Sequence, residues 1–419
     1  MTTRNALVAA GSLGCRCQTC PNARESAVTH VGHRIAVERK LAGLKQVQLA
    51  QKANYSVSLL RAVEQGREPA SPAFIAAIAR SLSVEPERLT GVPYYAEIEA
   101  DGGPLEGLTE LRALIAEGLY AQGVEPPTLA QLTAEMAAID RDCRDDKSRM
   151  ALARLPVHMR QLYGALHATS TAAERAAICN LLCAAHAAAE RLCRRFGYMG
   201  LAVSALDRLE WFATQADDPL YAALGTIKRA RILMYHNAND IALTLIEKAL
   251  DTITGDDAAA TEVRGFGHLC GSIIAARGFR PDVARNHITE ARTFALHVNG
   301  ESDMYGTMFG PANVEIHSCA VELEAGDPGK AAREGTALVL PAGIALPRAG
   351  HHWQDVARAW LMSGQPDKAL KSLNLARRVA PQQTRLHPSV RETLHGIAAA
   401  ERRRTDSLSS FAGWVGVAL

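Results

Sequence analysis

Aromatic residues are scarce in this 419-residue chain, at 5% of positions, while alanine is abundant, a balance that favours helix over sheet. No uninterrupted apolar run is long enough to span a bilayer, and no secretory signal opens the chain. The cytoplasm is therefore the expected compartment. No G-x-S-x-G, H-E-x-x-H or P-loop occurs, and neither His186 nor the pair His351-His352 has a carboxylate or cysteine at a spacing that suggests a site. An enzyme is not expected, and no cofactor is implied. The nine cysteines are an odd number in a long chain, which argues against a disulfide framework and for small buried side chains.

What is present is ordinary in total and uneven in placement. Hydrophobic residues at 48% and charged residues at 21% suit a chain that buries a core, with room for two or three domains. The net charge is only +2, yet Val31 to Gly91 carries nine Lys/Arg against five Asp/Glu. That is a modest basic footprint of the kind that meets backbone phosphates, and the long C-terminal part is mildly acidic.

Lys45 to Arg67, KQVQLAQKANYSVSLLRAVEQGR, reads as two short helices joined by a tight bend. Asn54 tolerates the left-handed backbone of the bend, Ser56 is an N-cap and Gly66 stops the second helix from beyond its end. Leu49, Ala50, Leu60 and Val63 face inward; Val57, Ser58, Arg61 and Gln65 point out. A short helix with a small, polar, partly basic outer face fits the DNA major groove. Phe74, Ile75, Ile78, Ala79 and Leu82 then recur at helical spacing behind the cap Ser71-Pro72 and close a small core. Arg67 lies in a loop able to reach a phosphate.

This stretch resembles the lambda-repressor or Xre type of helix-turn-helix over about residues 31 to 90. Arg39, Gln46, Leu49-Ala50 and Glu64-Gln65-Gly66 carry the likeness. The resemblance implies a five-helix DNA-binding domain in which Gln46 contacts phosphate and Ser56, Val57, Ser58, Arg61 and Ala62 lie toward the bases. Lys45, Gln65 and Arg67 complete the expected DNA-facing set. It also implies a partly buried ion pair between Arg39 and Glu64. Val57 and Ala62 cannot hydrogen-bond where relatives often carry polar readers, but they suit a thymine methyl.

Residues 1–30 read as a flexible tail. Cys15, Cys17 and Cys20 in it are either loose or a zinc or redox site completed by His30 or His33, and no second cysteine pair accompanies them. After the domain at 31–92, residues 93–127 read as a linker that includes a helix from Leu105 to Gln122. The charged cluster Arg141 to Arg149 reads as a solvated face. Residues 128–404 read as repeats. Gly350 to Gln383 is the clearest unit, with Trp353, Val356, Ala357 and Trp360 on one helix and Ala369, Leu373 and Ala376 on the next. Weaker copies centre on Ala202, Ala242, Ala284 and Ala331, although Gly335 looks a poor packing residue in the last. Small residues let paired helices approach and large ones fill the neighbouring hairpin, the logic of tetratricopeptide (TPR) repeats. Five hairpins and one or two leading helices are expected, in an all-α chain that ends in a TPR-like α-solenoid. Residues 405–419 form a tail whose Phe411 and Trp414 either cover the last hairpin or stay loose.

The solenoid's inner wall should come from the first helix of each hairpin, which places Arg231, Asn313, His317, His351, Gln354 and Arg358 in a ligand groove, with Tyr235 and Ile316 near them and Arg191, Arg194 and Arg195 at its start. Asn binds a peptide backbone through both its donor and its acceptor, and Arg suits a carboxylate. The pattern resembles peptide-sensing regulators that join an Xre-type head to a TPR body. It is also similar to actinobacterial regulators with FGPxNVxxH and DxARA segments, here Phe309 to His317 and Asp355 to Ala359. The resemblance implies a homodimeric transcription regulator of double-stranded DNA with a peptide or protein partner in the groove. The alternative is an adaptor that binds a partner protein and carries a vestigial head.

Overall fold

The protein is described by a computed structural model over residues 30–94, 98, 103–400 and 406–417. Cys15, Cys17 and Cys20 lie outside these residues. Every regular element among the described residues is helical.

The N-terminal head has five helices: α1 (Val31–Leu41), α2 (Gln46–Ala53), α3 (Val57–Glu64), α4 (Pro72–Leu82) and α5 (Pro86–Thr90). Local chemistry sets their ends. Asn54 turns the chain at φ 57°, and Ser56 Oγ accepts from the Leu59 amide at 3.1 Å. Gly66 sits at φ 70°, where a side chain would be strained. Ile35, Leu49, Leu60, Phe74, Ile78 and Leu89 are fully buried in one core of the head's own.

The body begins with α6 (Leu108–Glu117), α7 (Leu129–Arg144) and α8 (Ser148–Ala168). Five hairpins follow: α9 (Ala172–Arg195) with α10 (Met199–Ala213), α11 (Leu220–Tyr235) with α12 (Asn239–Thr252), and α13 (Ala258–Arg277) with α14 (Pro281–Ala295). The fourth pairs α15 (Pro311–Glu324) with α16 (Pro328–Ala337), and the fifth α17 (Leu346–Met362) with α18 (Pro366–Val379). Three helices end the chain: α19 (Pro381–Leu386), α20 (Pro388–Ala400) and α21 (Asp406–Val415). Each of the five hairpin turns holds a left-handed residue, namely Gly197, Asn237, Phe279, Gly326 and Gly364. Ala202, Ala242, Ala284, Ala331 and Ala369 are all buried where the second helix of a pair crosses the first. Gly335 proves a good packing residue: a Cβ there would stand 2.6 Å from Val356 Cγ2, so α16 passes α17 only because none exists.

Two expectations need correction. The helix in the expected linker is part of the body, because Leu108, Leu111, Leu114 and Ile115 of α6 are buried in its main core. Within residues 128–404 two leading helices, α7 and α8, precede the hairpins, and α6 is the helix expected in the linker. The charged cluster is not a solvated face either, since Asp142, Asp146 and Ser148 are buried. The Asp146 carboxylate accepts from the Gln382 and Gln383 amides at 2.8 and 3.1 Å, and the Arg149 amide donates to Gln382 Oε1 at 3.2 Å. The start of the body is thereby clasped to its end. At the C-terminus the covering alternative holds: α21 folds back with Phe411 fully buried against α18 and α20 and the Arg377 guanidinium 4.4 Å from the Trp414 ring.

The head rests on the body rather than hanging from it. The Val31 amide donates to Glu392 at 3.4 Å and Arg80 to the Asn237 carbonyl at 2.7 Å. Arg391 stacks on Tyr94 at 3.8 Å, and the Tyr55 ring meets Phe279 at 6.1 Å.

Candidate nucleic-acid interface and inner chamber

Docking leaves one face of the head open. Lys45, Ser56, Ser58, Arg61, Gln65 and Arg67 are exposed, gathered on and around α3. Arg67 lies with Gln65, its Nε 2.9 Å and one terminal nitrogen 2.5 Å from Gln65 Oε1. This face offers hydroxyls, an amide and cations, the groups that bond to base edges and phosphates. Val57 departs from expectation. It is half-buried and leans on the head core, and Ala62 is half-buried as well. At the first turn of so short a helix, core contact outcompetes outward projection.

Behind this face a three-residue lock joins α1, α2 and α3. Arg39 Nε and a terminal nitrogen reach the Glu64 carboxylate at 2.6 and 3.0 Å, and Arg39 also donates to the Leu44 carbonyl at 2.9 Å. The Gln46 amide, expected at phosphate, instead donates to Glu64 Oε2 at 2.7 Å. Both ion-pair side chains are largely buried, so the carboxylate is bonded in a setting where a lost partner would be costly.

A second site lies between head and body. α4 and α5 roof a cavity of about 320 Å³ whose floor is the solenoid's inner wall. The roof is mostly apolar, with Pro72, Ile75, Ala76 and Pro86. The floor is cationic: Arg191, Arg194 and Arg195 come from α9, Lys228 and Arg231 from α11. Arg277 of α13 and Arg348 and Arg358 of α17 complete it. The acidic lining residues are Glu87, Glu324, Asp355 and Glu392.

Of the residues expected in the groove, Arg231, Asn313, His317, His351 and Arg358 line this chamber together with Tyr235 and Ile316. Gln354 does not. It is buried under α19, and its amide donates to Gln383 at 2.6 Å and Thr384 at 3.0 Å. Sequence reasoning missed Lys228, Arg277 and Arg348. Lys228 and Arg348 each lie three residues before an expected member, so following the same helical face one turn further would have found both. Arg277 closes α13, which no expected member marked.

Most of these charges are matched. Lys228 and Arg194 each reach Glu190 at 2.8 Å, Arg191 reaches Asp140 at 3.1 Å, and Arg358 and Arg277 reach Glu324 at 2.8 and 3.5 Å. Burial works against the Glu190 charge, but Lys228 and Arg194 outweigh it and hold the carboxyl below its usual range. Burial, then the nearby Arg231, Arg194 and Arg195, pushes Arg348 down to about 10. Burial first, with Arg348 next for two of them, takes His317, His351 and His387 down to about 3, so all three are neutral. Asn313, buried on α15, donates to the Met308 carbonyl at 2.5 Å while its Oδ1 has no partner, and Arg358 Nε is likewise unpartnered. His317 Nδ1 lies 2.8 Å from the Asn313 carbonyl. Among the described residues no cluster of His, Cys, Asp and Glu could hold a metal ion, and no helix is long and apolar enough to cross a membrane.

Comparison with known proteins bears on the head. Residues 30–90 match a family described as a helix-turn-helix domain. No curated protein sequence matches the chain. One solved structure is similar, that of Bacillus thuringiensis PlcR in complex with the peptide PapR7 and DNA, at 11% identity and a TM-score of 0.33, covering 84% of this chain and 95% of that one.

Proposed function

We propose that the protein is a sequence-specific DNA-binding transcription regulator, with no enzymatic activity, whose body governs the head through an effector in the inner chamber. One observation carries the reading. The head docks on the body through Val31, Tyr55, Arg80 and the edge of α4, yet the polar face of α3 stays exposed. A helix of this kind enters a major groove, and two copies on a homodimer would read a two-fold operator at a spacing set by the bodies. In its widest reading the effector is a peptide or a segment of a partner protein. Because α4 and α5 roof the chamber, whatever fills it also bears on how the head is held.

The test is a gel shift on operator fragments recovered by genome-wide mapping of bound sites. Arg61→Ala should weaken binding by roughly 5- to 150-fold if it reads a base, a loss of about 1–3 kcal/mol. Gln46→Ala should weaken it less, because that amide first serves Glu64. Wild-type affinity in Arg61→Ala would refute the assigned face. Retention on DNA that does not fall steeply with salt would favour the adaptor with a vestigial head, since phosphate contacts release counterions.

A further inference from the structure

We infer that the chamber takes a compact organic polyanion, bearing phosphate or carboxylate groups and at least one hydroxyl, gripped by Arg195, Arg231 and Arg348. This rests on reading the chamber as the effector site and names the chemistry of its occupant.

These three arginines come from three helices and have no ion pair among the described residues. Arg195 meets only the Ser148 hydroxyl. Arg231 lies over the Phe266 ring at 5.7 Å. The Arg348 side chain makes no hydrogen bond among the described residues, and Arg231, Arg194 and Arg195 act on it more strongly than the acidic Asp355. The five remaining floor cations share the carboxylates of Glu190, Asp140 and Glu324, so positive charge stays in excess on the floor, and Arg195, Arg231 and Arg348 are the members with no carboxylate within salt-bridge distance. Unmatched cations gathered beneath a mostly apolar roof are unfavourable without a counter-charge. Bidentate guanidinium forks are also the groups that suit phosphate and carboxylate.

Two more observations define the occupant. Asn313 is held by the Met308 carbonyl with its own Oδ1 unpartnered, and that oxygen requires a donor, such as a ligand hydroxyl. The volume of about 320 Å³ lies at the small end of small-molecule sites. An extended peptide needs more space than this unless the head lifts. His317, His351 and His387, neutral in this setting, add hydrogen-bonding capacity without further charge.

The full-length protein should be melted in the presence of pyrophosphate, citrate or tri-glutamate, each against sodium chloride of equal ionic strength. Pyrophosphate or citrate should raise the Tm saturably. Arg231→Gln and Arg348→Gln should shift the half-saturating concentration upward at least tenfold, while Arg61→Ala on the DNA face leaves it unchanged. Without ligand, the two chamber variants should melt no lower than the parent, because each relieves repulsion. Titration calorimetry of the parent with the same compounds gives the answer if a variant does not fold. The inference is overturned if neither small anion binds saturably, if tri-glutamate alone gives a response, or if folded Arg231→Gln and Arg348→Gln bind the small anions as tightly as the parent. A small anion that binds without changing DNA retention supports the site and overturns only its effector role.

Discussion

Exchange Glu392 for glutamine, and the head should hold to the body at pH 8, where the parent chain has begun to loosen. Glu392 stands on α20 at the docking interface and accepts from the Val31 amide of the head at 3.4 Å. Burial raises its carboxyl, the Val31 and Ala70 amides and Arg34 pull it only partly back, and it ends at about 7. The charged and titratable neighbours are Arg34 on α1, Arg391 beside it, and His30 and His395, whose protonation burial disfavours. Undocking exposes the carboxyl and returns it toward its ordinary 4.5. The docked form therefore binds the proton more tightly. Its contribution is fully present below about 4.5 and is lost as pH climbs through about 7. At about 1.4 kcal/mol per unit, the gap amounts to ~3 kcal/mol, on the order of a hundredfold in the docking equilibrium. Glutamine keeps the acceptor oxygen and cannot ionise. Hydrogen exchange at Val31 and Ala70, corrected for intrinsic pH dependence, reads the equilibrium, as does energy transfer between dyes on head and body. An equal pH slope in Glu392→Gln, or docking that tightens with rising pH, would refute the reasoning.

Further substitutions test the scaffold. Glu64→Ala strands the Arg39 guanidinium and the Gln46 amide together, so chemical denaturation should show the head destabilised by about 3–5 kcal/mol, with DNA binding falling in step; a change under 1 kcal/mol would mean the lock contributes little. Phe411→Ala empties a buried site on α21 and should cost about 3–5 kcal/mol in the body's thermal unfolding, where a true tail would cost nothing measurable. Asp146→Ala leaves two amides without their acceptor, which should cost about 1–3 kcal/mol and speed exchange at Gln382 and Gln383.

The head was legible because local chemistry determines it. Asn54, Ser56 and Gly66 each act within a few residues of their own position, and Leu49, Leu60 and Phe74 repeat at helical spacing. The hairpins were legible for the same reason, through the alanines that sit at each crossing. What stayed hidden depends on contacts distant in sequence. Asp146 looked like a surface charge because its amide donors lie more than two hundred positions later. Gln354 looked inward-facing, and α19 covers it. The resemblance places Gln46 outward, and Glu64 turns its amide inward. The groove was anticipated as an open wall. That the head would form its roof could not be read from helical periodicity, because the docking residues Val31, Arg80 and Glu392 belong to no repeat.

The clasp at Asp146 has a mechanical consequence. An unclasped stack of hairpins behaves like a coil spring, and each crossing can yield a little without telling the others. Joining the first coil to the last makes a hoop, in which widening at one place must be taken up around the entire circumference. A molecule lodged against a single arginine on the inner rim would then be felt at every hairpin, including those on which the head is seated.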